Sequence, residues 1–241
     1  MTTPVTPAIV ADLAPTGVLR ASVNLGNPVL AQGTSSAPRG VTVDLAREIA
    51  RRLGVRVELA CFDAAQASFE ALTTGVADLG FMAIEPARAD RVHFTAPYVL
   101  IEGVYAVRSE SPFGSPADVD RDGVRIGVKE GSAYDLFLTR TLRAATIVRG
   151  REGVEVFLDE ELEVGAGIRQ PLSAAVADRP DVRLVDEAFM QIRQAVCVPS
   201  DRQAASAAWL GSVVEQLRSS GFVADALERS GQGDVTVAPP A

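Results

Sequence analysis

Apolar residues recur in two alternating rhythms along this chain. From Val43 to Leu53, Leu45, Ile49 and Leu53 fall at i, i+4 and i+8 with arginines on the opposite side, and Gly54 follows. That spacing predicts an amphipathic helix with a glycine stop. Ala64–Thr74, with Phe69 and Leu72 on one face and Gly75 behind it, predicts a second. Gly17–Val23, Val55–Leu59 and Ala77–Met82 read instead as short strands, the first preceded by a short N-terminal helix. The order strand, helix, strand, helix, strand predicts a parallel sheet flanked by helices. Between the first strand and the first long helix, Gly26–Gly40 is rich in Gly, Pro and Ser and reads as a long irregular loop, the kind that often carries function.

A second unit of similar plan follows. Ser115-Pro116 begins a short helix. Val124–Val128, Thr146–Val148, Leu162–Ala166 and Val182–Val185 read as strands, and helices are predicted after Gly131, over Val154–Leu158 and over Arg169–Ala177. Two longer apolar runs, Tyr98–Val107 and Ile192–Val198, suit crossovers between lobes. Ala204–Leu217 and Val223–Leu227 read as closing helices. The expected architecture is α/β with two lobes: residues 1–102 plus 196–241 form a discontinuous lobe 1 and residues 103–195 form lobe 2.

A chain of 241 residues is long enough for two lobes that each bury a core. Its net charge of -8, with no basic run, argues against nucleic acid as a partner. No apolar run approaches the roughly 20 residues that span a bilayer. The start, MTTPVTPAIVADLAPTG, lacks a cationic segment and an apolar core, so as written it carries no secretory signal. The expectation is a periplasmic protein if a leader has been removed and a cytoplasmic one otherwise. Cys61 and Cys197 show no CxxC or metal spacing, and each lies in an apolar strand-like run, which favours buried thiols and leaves a disulfide open.

Three features suit a small anionic or zwitterionic ligand. Arg88 heads a proline-primed turn, Glu85-Pro86-Ala87-Arg88, and its planar fork matches a carboxylate bidentately; a solvated surface arginine is the plain alternative. Gly131-Ser132-Ala133 joins a strand to a helix, where N–H groups and a hydroxyl can hold an anion or Ser132 can simply cap the helix. Glu163 stands in the apolar run LEVGAG, where a carboxylate needs a partner: a ligand ammonium group or an arginine such as Arg169. Enzymatic signals are weak. His93 has no companion nucleophile motif, and there is no GxGxxG, Walker loop, CxxC, HExxH or GxSxG. Trp209, among Leu210, Val213 and Leu217, reads as core. No cofactor or metal is expected.

An ordered set of segments spread over nearly the whole chain resembles the type II periplasmic solute-binding proteins that deliver polar amino acids to ABC importers. The segments are Gly17-Val-Leu-Arg20, Gly40-Val-Thr-Val-Asp-Leu-Ala-Arg-Glu-Ile-Ala-Arg-Arg-Leu-Gly54, Leu72-Thr-Thr-Gly-Val-Ala-Asp78, Pro86-Ala-Arg88, Val92-His-Phe-Thr-Ala-Pro-Tyr98 and Gly127-Val-Lys-Glu-Gly-Ser132. The resemblance implies that Arg88, six residues before Phe94, grips a ligand carboxylate. It implies that Gly131-Ser132 makes a second carboxylate contact and that Glu163 receives the ammonium group. The approach Gly80-Phe-Met-Ala-Ile-Glu-Pro-Ala-Arg88 lacks the hydroxyls usual in the family, so Phe81 and Ala83 are expected to line the site. An aromatic lid is replaced by Gly26-Asn27-Pro28-Val29, which offers Asn27 as a polar contact; Phe62 and Ala133 complete the expected lining. The implied function is capture of a small carboxylate, an amino acid first of all, between the lobes by hinge closure, by a monomer that hands it to the membrane subunits of an ABC transporter. Two alternatives stay open: an enzyme resembling cyclohexadienyl dehydratases, with Glu163 or Glu102 as acid or base, and a cytoplasmic sensor or orphan binding module.

Overall fold

A computed structural model describes residues 4–240. Residues 1–3 and 241, which the sequence reading assigned to lobe 1, lie outside the described residues. In chain order the elements are α1 (Pro7–Leu13), β1 (Val18–Asn24), β2 (Gln32–Thr34), β3 (Ala37–Arg39), α2 (Val41–Leu53), β4 (Arg56–Phe62), α3 (Ala65–Thr73), β5 (Gly80–Ala83), α4 (Pro86–Ala89) and β6 (Val92–Arg108). Then come β7 (Arg125–Lys129), α5 (Ala133–Thr141), β8 (Thr146–Gly150), α6 (Gly153–Asp159), β9 (Val164–Ile168), α7 (Arg169–Val176), β10 (Val182–Leu184), β11 (Met190–Pro199), α8 (Ala204–Ser219), α9 (Phe222–Arg229) and β12 (Thr236–Val237). The chain divides into two compact units: one runs to Leu100 and resumes at Arg193, the other is Ile101–Ile192. Both divisions fall inside long strands, β6 and β11.

In the first unit β1 and β4 pair in parallel from Val18↔Arg56 to Asn24↔Phe62, and β5 joins β1 through the parallel bridge Ala21↔Leu79. Strand β11 closes this side antiparallel, from Gln194↔Ala83 to Cys197↔Gly80. Because α2 leaves β1 and returns the chain to a parallel β4, its N-terminus lies at the edge where β1, β4 and β5 end. Helix α2 buries Leu45, Ile49 and Leu53, the three residues its spacing singled out. Phe69 and Leu72 of α3 pack with Met82 and Cys197, and Trp209, Leu210, Val213 and Leu217 of α8 are buried.

In the second unit β8, β7 and β9 run parallel, β6 lies antiparallel to β9 from Gly103↔Ile168 to Val107↔Val164, and β10 extends the sheet on β6. Helix α6 presses onto β7 and β9 so closely that a Cβ on Gly153 would come within 2.4 Å of the Ala166 carbonyl oxygen. The fully buried Phe157 fills the contact.

The structure corrects several local expectations. The loop 26–40 contains the hairpin β2–β3, paired Gln32↔Arg39 to Thr34↔Ala37. The strand expected from Leu162 starts only at Val164, just after Glu163, whose carboxylate takes the Arg125 N–H, and the one expected from Ala77 starts at Gly80, preceded by the single bridge at Leu79. Cys61 and Cys197 are free thiols, half-buried and buried respectively. His93 is exposed on β6.

The first unit is tied together by Asp78, which is fully buried. Its carboxylate accepts from Arg20 Nε at 2.8 Å, Arg20 Nη2 at 2.7 Å and Arg202 Nη2 at 3.2 Å, and from the backbone N of Arg20 at 3.2 Å. Asp78→Ala leaves the partly exposed guanidinium groups of Arg20 and Arg202 without their shared buried carboxylate and is expected to cost about 1–3 kcal/mol, read as a fall in the urea midpoint. On the surface, Glu48 accepts from Arg51 and Arg52, chiefly the former, and its pKa is lowered to about 2; Arg125 lowers that of Glu163. A carboxylate depressed in the fold stabilises it above the unfolded pKa and loses that contribution as pH falls through the folded value. Thermal melts are therefore expected to show Tm unchanged by these groups above about pH 5 and falling from there toward pH 2.

Candidate functional site

Arg88 is placed by local rules. Pro86 opens α4 with its φ already helical, and the N–H of Arg88 returns to the Glu85 carbonyl oxygen at 2.9 Å, so the arginine is fixed just beyond the end of β5. It is only 2% exposed. Its guanidinium carbon stands 5.8 Å from the Phe69 ring centroid, and Arg91 stands at the same distance from that ring. Desolvation pushes the pKa of Arg88 below its ordinary value, opposed by Cys197 and Glu85. Burial likewise pushes the Cys197 thiol well above its usual range, against the pull of Arg88. The plain alternative of a solvated surface arginine is excluded.

The other expected residues of the first unit gather at the edge where its parallel strands end. Asn27 is buried in the turn after β1; its Oδ1 accepts from Val29 N at 3.3 Å and its carbonyl oxygen accepts from Leu30 N and Ala31 N, each at 3.0 Å. Phe62, the last residue of β4, packs half-buried against Phe69 and its neighbours. Phe81 and Ala83 are buried on one face of β5, with Phe81 edge-on to Tyr98 at 6.4 Å.

In the second unit the expected polar residues, Ser132 and Glu163, have local partners. Ser132 is the N-cap of α5: its Oγ accepts from Asp135 N at 3.1 Å, while Gly131 N donates to Asp135 Oδ2 at 2.9 Å. Gly131 has φ 68°, a left-handed conformation that favours glycine. Ala133 is the first helical residue and is buried.

Glu163 requires a correction. Its partner is Arg125, which donates from Nε to Oε2 at 2.9 Å and from Nη2 to Oε1 at 2.8 Å, not Arg169. The pair sits where parallel β7 and β9 begin, whereas Ser132 follows the end of β7, so Glu163 and Ser132 occupy opposite edges of one sheet. Arg169 instead follows β9 and bonds Glu102 and the Asp186 carbonyl oxygen. The edge shared with Ser132 also carries Lys129 paired with Glu152 at 2.5 Å. None of these three pairs was legible beforehand, because their members are separated by many residues and bear no motif. Among the described residues no group of three or more His, Cys, Asp or Glu is placed to hold a metal ion, and no helix is long and apolar enough to cross a membrane.

A sequence profile of the bacterial extracellular solute-binding proteins, family 3, matches residues 21–231, and the chain belongs to that family. A search of curated proteins finds no match. Among solved structures, the cysteine-binding protein of Campylobacter jejuni is similar at 20% identity and a TM-score of 0.75, over 95% of this chain and 99% of that one. The amino acid ABC transporter substrate-binding protein AbpA of Streptococcus pneumoniae, bound to L-arginine, is similar at 18% identity and a TM-score of 0.73, over 93% and 98%. An ancestral amino acid-binding protein, a precursor of cyclohexadienyl dehydratase, is similar at 21% identity and a TM-score of 0.72, over 91% and 98%. The fold is that of the type II periplasmic binding proteins.

Replacing Ser132 by Ala removes the N-cap acceptor of α5 and is expected to lower stability by about 1 kcal/mol in chemical denaturation.

Proposed function

We propose that the chain is an extracytoplasmic binding protein that captures a small carboxylate-bearing solute, an amino acid, for ABC import. The observation that carries this reading is Arg88, a desolvated guanidinium fixed just past the end of β5. Ligands of open α/β sheets bind at the carboxyl ends of the strands. There the fork of an arginine meets both oxygens of a carboxylate, and low surrounding polarity strengthens the bond. Family membership supports the class of function. The amino acids named for the similar structures, cysteine and arginine, support the ligand class while differing too much from each other to select one.

The partners of such a protein are its solute and the membrane subunits of the importer, and it works as a monomer. An enzymatic role draws support from the dehydratase precursor alone. Against it, Arg125 holds Glu163 below the ordinary carboxylate range, the reverse of what a proton donor near neutral pH requires.

A thermal-shift screen over the twenty standard L-amino acids tests the reading. A member present at about one hundred times its Kd adds about 2.7 kcal/mol of stability, a rise in Tm of roughly 5–10 °C. Arg88→Lys keeps the charge and loses the fork; Arg88→Ala loses both. Each is expected to abolish the rise. A full shift retained in Arg88→Lys and Arg88→Ala removes the assignment.

A further inference from the structure

Strand β11 contains one polar side chain that its surroundings do not account for. Gln194 lies between the exposed Arg193 and the apolar run Ala195–Val198, and it is 6% exposed. Its register is fixed: Gln194 pairs with Ala83 and Val196 pairs with Phe81, and the N–H of Ile84 reaches the carbonyl oxygen of Arg193 at 2.9 Å. Side chains alternate across a strand, so Gln194 shares a face with Ala83, Phe81 and Val196. The other face, with Ala195, Cys197, Met82 and Gly80, packs on Phe69 and Leu72 of α3. Gln194 thus stands opposite the last residue of β5, at the edge where β1, β4 and β5 end.

The Oε1 atom of Gln194 is buried and has no hydrogen-bond partner among the described residues. An amide oxygen left so costs about 1–3 kcal/mol, and a methionine of nearly the same shape would avoid that cost. A buried, unsatisfied acceptor calls for a partner, and at the carboxyl edge of the sheet a bound ligand would supply one.

We propose that Gln194 is a ligand-contacting, specificity-determining residue whose side-chain oxygen accepts a hydrogen bond from the ammonium group of the bound amino acid. The inference rests on the reading of the protein as an amino-acid binder and adds to it a residue that chooses between ligands. It also fills a gap. Glu163, assigned to the ammonium group from sequence, is engaged by Arg125 at the other edge of its own sheet. A neutral amide oxygen accepts from an ammonium N–H, a donor that a 2-oxo acid lacks, so it would discriminate by that hydrogen bond.

The test is calorimetric titration of the full chain with the L-amino acid that gives the largest thermal shift and with the 2-oxo acid of the same side chain. The wild type is expected to prefer the amino acid. In Gln194→Met, affinity for the amino acid is expected to fall about tenfold or more while affinity for the 2-oxo acid stays within about twofold, so the preference collapses. Without ligand the variant is expected to melt at or above the wild-type temperature, since an unsatisfied buried acceptor has been removed. An unchanged amino-acid Kd in Gln194→Met overturns this inference and leaves the amino-acid reading standing, as does an equal loss for both ligands. A ligand-free variant that melts well below the wild type also overturns it, because the amide would then be satisfied within the fold. If no L-amino acid binds the wild type, both readings fall together.

Discussion

The first unit depends on one buried carboxylate. Asp78 stands just before β5, Arg20 lies on β1, and Arg202 follows β11, almost two hundred residues after Arg20. An apolar contact at this point would hold the same segments together with no fixed geometry. The Asp78 carboxylate, taking both nitrogens of the Arg20 fork, sets the lateral position of β5 against β1. The position of β5 in turn determines where the chain turns at Pro86, and therefore where Arg88 is held. Gln194 is placed by the same strand, through its pairing with Ala83. The two side chains on which the binding reading rests are thus both referred to a charge cluster that touches neither of them.

Much of this was legible in the sequence, and the reasons differ by residue. Leu45, Ile49 and Leu53 announce α2 because a helix that buries one face needs apolar residues at that spacing, and nothing in the tertiary structure overrides it. Arg88 could be singled out by its distance from Phe94, Pro97 and Tyr98, but its burial could not, because the cover comes from Phe69 of a different helix. Glu163 misled for a physical reason: LEVGAG has the composition of a strand throughout, while the carboxylate takes the backbone N–H of Arg125 at 2.8 Å and the strand starts just after it, at Val164. The hairpin β2–β3 was hidden by the Gly, Pro and Ser content that also marks irregular loops. Gln194 was passed over because one amide in QAVCV breaks no periodicity; only its register against β5 and its lack of a partner give it meaning.

The second unit solves a different packing problem. Its sheet and helix α6 approach at the distance that glycine alone permits, with Gly127, Gly153 and Gly165 meeting backbone or the Phe157 ring where any other residue would carry a Cβ. Three ion pairs stand at the two edges of this sheet: Arg125 with Glu163 at one, Lys129 with Glu152 and Arg169 with Glu102 at the other. Such exposed pairs add little stability each. Their effect is to neutralise charge at these strand ends, and Ser132 at the head of α5 likewise has a local partner in Asp135.

The division of the chain inside β6 and β11 has a consequence for synthesis. The second unit is a single uninterrupted segment, whereas the first is completed only when Arg193 and the residues beyond it have been made. As the chain emerges, Asp78 and Arg20 are present long before Arg202, and β5 waits for β11 with one side uncovered. Domains generally fold as units during synthesis. The segment that comes out in the middle is therefore able to finish first, and its folding brings the two ends of the interrupted unit within reach of each other, shortening the loop that β11 must close.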